Sequence, residues 1–176
     1  IGTALNPELA YHCFKRAADQ NNPWGLNGLG VCCQYGYGTA IDLQRAKDLF
    51  SKAAEMGNPF ATLNLARVYA EKENGFFDPE LAEKYYKKAM ELEAPGSRFY
   101  YASFLFFQEC YEEAVPLLQA SQEESLSVLL LARCYENGWG VPVDISRAVE
   151  LAEEHFSRFG SHSESAEICF NAGLEE

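Results

Sequence analysis

The 176-residue sequence carries 26 acidic and 14 basic side chains, a formal charge of −12, and 48% hydrophobic residues. That length suffices for a self-supporting core in one domain or one array, and the negative charge opposes a phosphate backbone, which argues against nucleic acid as a partner. No stretch approaches the roughly 18 consecutive apolar residues of a membrane span, and the first residues lack a basic region followed by an apolar run.

In chain order, Asn6 followed by Pro7 marks the first predicted helix start: an Asn side chain accepts orphan backbone N–H groups, and proline at the first helical position loses no needed donor. Because the sequence begins at Ile1, a piece of a longer protein is expected. Leu26, Leu29 and Cys33 then recur at helical spacing, predicting a helix over about 24–35. A glycine-containing turn follows, and Asp42 opens a helix over about 43–56 that carries Ala46, Leu49, Phe50 and Ala53 and stops near Gly57. The next unit repeats this with helices over about 60–71 and 79–92, the second opened by Asp78 and Pro79 and carrying Ala82, Tyr85, Tyr86 and Ala89.

These similarities are periodic. Pro23, Pro59 and Pro95 stand 36 residues apart, as do Ala17, Ala53 and Ala89; "NPELA" at 6–10 returns as "DPELA" at 78–82, and "GTALN" at 2–6 as "GTAID" at 38–42. A fixed period of this size predicts an all-α solenoid, an α-α superhelical array of helix-turn-helix repeats. The expected organisation is a single array over 1–176: a half repeat at 1–22, full repeats at 23–58, 59–94 and 125–160, a short repeat at 95–124, and a partial repeat or capping helix at 161–176. Small residues Gly30, Ala66, Ala102 and Ala132 recur beside the apolar positions, where they let a neighbouring helix come close.

The stretches "YGYGTAID" at 35–42 and "ENGWGVPVD" at 136–144 read as turns, with Gly36 and Gly138 in left-handed conformation at helix ends and Asp42 and Asp144 capping the next helices. A phosphate-binding loop would follow a strand and carry a lysine, and neither is present.

With Leu29-Gly30, Gly36, Gly38, Asp42, Ala46, Lys52-Ala53-Ala54 and Gly57 in the first full repeat, and Leu131-Ala132, Tyr135, Gly138, Gly140-Val141, Asp144 and Ala148 in the last, the chain resembles the Sel-one-like repeat family of tetratricopeptide-like arrays. Two segments depart from the pattern: "EKENGFFD" at 71–78 has Gly75 in place of the glycine pair, so its turn should differ. The third repeat is six residues short, with "FFQECYEEA" joining its helices and Pro116 in the first turns of its second helix, so irregular stacking is expected there.

The six cysteines, Cys13, Cys32, Cys33, Cys110, Cys134 and Cys169, form neither a C-x-x-C pair nor a set recurring within units. This disfavours the disulfide-stapled subgroup of relatives. Together with the absence of any N-x-S/T sequon, it leads to an expected reducing, cytoplasmic location. The histidines His12, His155 and His162 share no repeat position, so no metal, cofactor or catalytic set is expected; Cys32 and Cys33 read as packing residues.

The resemblance implies a non-catalytic scaffold or adaptor binding a partner protein or peptide along the concave face. The alternative is a regulatory or self-associating segment of a larger enzyme or stress-signalling protein. By tetratricopeptide analogy the groove positions are Trp24, Asn27, Val31, Gln34 and Tyr35 in the first full repeat and Phe60, Leu63, Arg67, Ala70 and Glu71 in the second. In the short repeat they are Phe99, Ser103, Phe106 and Phe107, and in the last Leu126, Leu129, Arg133, Glu136 and Asn137. Arg67 and Arg133 share a repeat position in an acidic chain and are placed to meet a partner carboxylate in a fork. The competing reading is that this position is solvent-exposed and its Arg merely pairs with a neighbouring Glu. The acid-rich second helices, such as residues 79–93, read as a solvated outer face.

Overall fold

In a computed structural model the protein is described over residues 6–160. Among the described residues there are nine helices: α1 (Pro7–Asp19), α2 (Pro23–Tyr35), α3 (Leu43–Glu55), α4 (Pro59–Ala70), α5 (Pro79–Glu91), α6 (Ser97–Phe107), α7 (Tyr111–Gln119), α8 (Ser125–Asn137) and α9 (Ile145–Phe159). No strand occurs among them. The architecture is an all-α helical repeat solenoid. The chain divides into two compact units, Ile1–Ser97 and Arg98–Glu176. The partial repeat expected at 161–176 lies outside the described residues.

In the first unit every helix from α1 to α5 starts on a capping side chain: Asn6, Asn22, Asp42, Asn58 and Asp78 each accept from backbone N–H groups in the following turn. Proline sits at the start of α1, α2, α4 and α5. Successive helices pack on one another from α1 to α5, around a core that includes Leu26, Leu29, Cys33, Ala46, Phe50, Ala53, Ala61 and Leu65. Phe50 is fully buried and occupies the space left by Gly30, where a β-carbon would lie 2.6 Å from its ring. Gly25 and Gly28 serve the same end toward α1, with virtual β-carbons 2.5 Å from Ala17 and 2.4 Å from the Phe14 ring. Three glycines weaken α2 as an isolated helix, and close contact with its neighbours compensates.

In the second unit the core comprises Ala114, Leu118, Val128, Leu131, Ala132, Cys134, Leu151 and Ala152. Here α7 begins at Cys110 and α8 at Glu124 without a side-chain cap, and only α9 has one, from Asp144. Three residues join α6 to α7, with Glu109 held at φ 62, a left-handed conformation that is costly without glycine. Pro116 lies inside α7, which runs on past it to Gln119. Pro95, third in the 36-residue series, does not open a helix; α6 starts two residues later.

Candidate functional site

Two turns bear the glycine pair, one in each unit. Gly36 and Gly138 cap α2 and α8 at φ 74 and 73, and the next residue's N–H bonds back to Cys32 and Cys134. The second glycine of each pair does more than continue the turn. A β-carbon on Gly38 would fall 2.5 Å from the Pro7 carbonyl oxygen at the start of α1, and one on Gly140 would fall 2.6 Å from the Tyr111 carbonyl at the start of α7. Each turn therefore rests on the backbone of an earlier helix start, and only glycine is small enough for that approach.

The Glu71–Asp78 turn is built differently. Asn74 donates from Nδ2 to the Val68 carbonyl at 2.6 Å and accepts at Oδ1 from the Phe76 N–H at 2.8 Å. Gly75, at φ 79, has open space around its β-position.

Ten of the predicted groove positions fall in the first unit. Trp24 and Phe60, at equivalent positions of consecutive repeats, bring their ring centroids to 5.6 Å while remaining 56% and 38% exposed. Beside them Asn27 accepts at Oδ1 from Asn64 Nδ2 at 3.0 Å, an amide bridge from α4 to α2. Asn64 was not visible in the sequence pattern, since it lies 37 residues after Asn27, one beyond the period. Gln34 lines a cleft of ≈ 250 Å³ near the Glu71–Asp78 turn, and Arg67 lies half-buried on α4. Leu63, counted by analogy among groove positions, is buried.

In the second unit the structure joins three predicted residues and removes another. Arg133 Nη1 donates to Glu136 Oε2 at 2.9 Å, and Asn137 Nδ2 donates to the Arg133 carbonyl at 3.0 Å. The guanidinium thus has a carboxylate partner on its own helix. Phe106, expected in the groove, is instead 9% exposed, with its ring edge-on to those of Phe107, Tyr111 and Trp139. Its neighbours are aromatic rings from α6, α7 and the turn after α8, so its ring packs in the core. Phe107 faces out at 67% exposure, Phe99 is half-buried against Tyr100, and Leu129 is buried.

A pairing the sequence did not suggest joins α8 to α9: Ser125 Oγ and His155 Nε2 lie 2.7 Å apart. The His155 side chain is fully buried and packs against Phe159, so the contact acts as a core hydrogen bond that satisfies a buried imidazole. Burial raises the thiol pKa of Cys32 and Cys33 and pushes Cys134 up to about 11. Buried, protonated thiols are poor nucleophiles. No cluster of three or more potential metal-ligating groups occurs among the described residues, and no helix there is long and apolar enough to cross a membrane.

Paired helices repeating at a fixed period, with a glycine-supported turn inside each regular pair, define a helical repeat protein of the tetratricopeptide-like class. The Sel1 repeat model matches residues 1–22, 25–58, 59–93 and 125–154, and the chain belongs to that family. The unmatched stretch contains α6 and the short α7, which starts without a side-chain cap. The fold is similar to that of a Sel1 repeat protein from Oxalobacter formigenes, with a TM-score of 0.71 and 21% identity over 97% of this chain and 80% of the other. It is also similar to a protective antigen of uropathogenic Escherichia coli displaying an SLR fold, with a TM-score of 0.54 and 18% identity over 99% of this chain and 47% of that one. No curated protein matches the sequence. Sel1 repeat proteins generally serve as protein–protein interaction scaffolds, and the fold is typically non-catalytic.

Proposed function

We propose that this chain is a non-catalytic adaptor that docks a partner protein on the α2–α4 face of its first unit. The observation that carries this reading is the Trp24–Phe60 contact: two large rings, one repeat apart, touch each other and still present much of their surface to solvent. Aromatic side chains supply large contact area at small entropic cost and dominate interface energetics. The Asn27–Asn64 bridge beside them leaves amide groups that can pair with a peptide backbone. Arg67 lies further along α4 on the same proposed path. In the second unit Arg133, Glu136, Asn137, Phe99 and Phe107 remain candidate contacts, with Arg133 already engaged by Glu136. A reducing, cytoplasmic setting accords with the absence of disulfides among the described cysteines.

The test is retention of a partner by the native chain and by a Trp24→Ala, Phe60→Ala variant shown by circular dichroism to be folded. The variant is expected to lose at least about tenfold in affinity, the scale of an interface hot spot. Equal affinity would place docking elsewhere.

A further inference from the structure

The Glu71–Asp78 turn, where the sequence leaves the family pattern, forms one wall of the ≈ 250 Å³ cleft within the first unit. Leu43, Val68 and Phe76 give the cleft apolar walls, Tyr35 lies at its side, and the Glu71 and Glu73 carboxylates complete the lining. Asn74 fixes this arrangement by bonding to both the Val68 carbonyl and the Phe76 N–H. Glu71 and Glu73 are exposed and enter none of the ion pairs among the described residues. The cleft is therefore apolar within and anionic among its charged lining groups. A side chain with a long aliphatic stem and a cationic head matches that order, since the stem is stabilised on apolar surface while the head stays with the carboxylates. Arginine fits best, because its planar fork can engage carboxylates at two points. Phe76 shows the preference already: Lys47 places its ammonium 4.4 Å from the ring centroid. That same ammonium is the local competitor for any incoming cation.

We infer that this cleft receives an arginine side chain of a partner protein, which rests on the adaptor reading and adds a charge requirement to it. The complementarity is local, and the chain's overall charge of −12 reinforces it by favouring approach of a basic segment.

The probe is N-acetyl-arginine amide, titrated into the ¹⁵N-labelled chain beside N-acetyl-citrulline amide, a neutral isostere. Saturable amide shifts at Tyr35, Val68, Glu73 and Phe76 are expected with the arginine compound. Binding of the citrulline compound should be weaker by about fivefold or more, and Glu71→Gln with Glu73→Gln should weaken arginine binding by about fivefold for each carboxylate removed. Lys47→Gln should strengthen it. Equal binding of both compounds, no saturable shift with arginine, or an unchanged affinity in the double variant would overturn the inference. These outcomes are separable from the adaptor reading. Failure of the arginine probe alongside a partner that depends on Trp24 and Phe60 removes only the cleft assignment. Arginine binding alongside an ineffective Trp24→Ala, Phe60→Ala variant removes only the α2–α4 docking face.

Discussion

The two compact units start their helices in different ways. From α1 to α5 an Asn or Asp stands at each helix start with its side chain on the backbone N–H groups of the first turn. In the second unit α7 and α8 begin at Cys110 and Glu124 with no such bond, and Asp144 alone supplies one, to α9. A cap contributes about 1 kcal/mol, so the first unit's helices have local support that α7 and α8 lack. The latter rely more on burial of Leu118, Val128 and Leu131. What the units share is the glycine pair, and both use its second member as a contact point against an earlier helix start.

The largest expected effect tests the shared feature. Gly38→Ala and Gly140→Ala each bring a methyl into backbone atoms at 2.5–2.6 Å while retaining positive φ, and each is expected to cost about 3 kcal/mol or more. Gly75→Ala, with positive φ but open space, is expected to cost only about 1 kcal/mol. Denaturant midpoints read all three, and equal losses at Gly38 and Gly75 would show that conformation, not contact, governs these turns.

Capping tests the difference between the units. Asp78→Ala is expected to lose about 1 kcal/mol in the first unit, whereas Glu124→Ser, at extended backbone (φ −90, ψ 126) suited to a cap, should gain about 0.5–1 kcal/mol in the second. No gain would mean that α8 is already held by tertiary packing alone.

The smallest effect is on pH. Cys134 in α8 keeps its proton up to about pH 11 when folded, against an ordinary value near 9. The raised folded pKa gives a contribution that is complete below pH 9 and declines as pH rises toward 11, because the unfolded chain ionises first. The expected loss is just under about 1 kcal/mol at about pH 9.5, and Cys134→Ala should remove that part of the slope in urea titrations at several pH values.

Much of the fold was legible in the sequence. Helix boundaries in the first unit fall within a residue or so of those implied by the apolar spacing, because Asn, Asp, Pro and Gly mark the ends there through local chemistry. The role of Gly38 was not legible, since its neighbour Pro7 lies 31 residues earlier and only packing brings them together. Of the candidate site, repeat register by analogy put Trp24, which is exposed, and Leu63, which is buried, alike in the groove. Phe106 was not legible, because a helix with aromatic residues on nearly every side offers no register by which to tell an outward ring from an inward one. The split after Ser97 coincides with the short repeat, yet length alone could not say that compact units would divide there.

The contact of Gly38 with Pro7 and Glu8 also bears on where this chain could be cut and recombined. A sequence repeat drawn from one proline to the next would separate the glycine from the backbone it rests on. A graft that exchanges or duplicates modules should instead run from the Asx that opens the second helix of one repeat through the Asx that opens the second helix of the next. Here that block runs from Asn6 to Asp42, and it keeps the turn and its seat in one inherited piece.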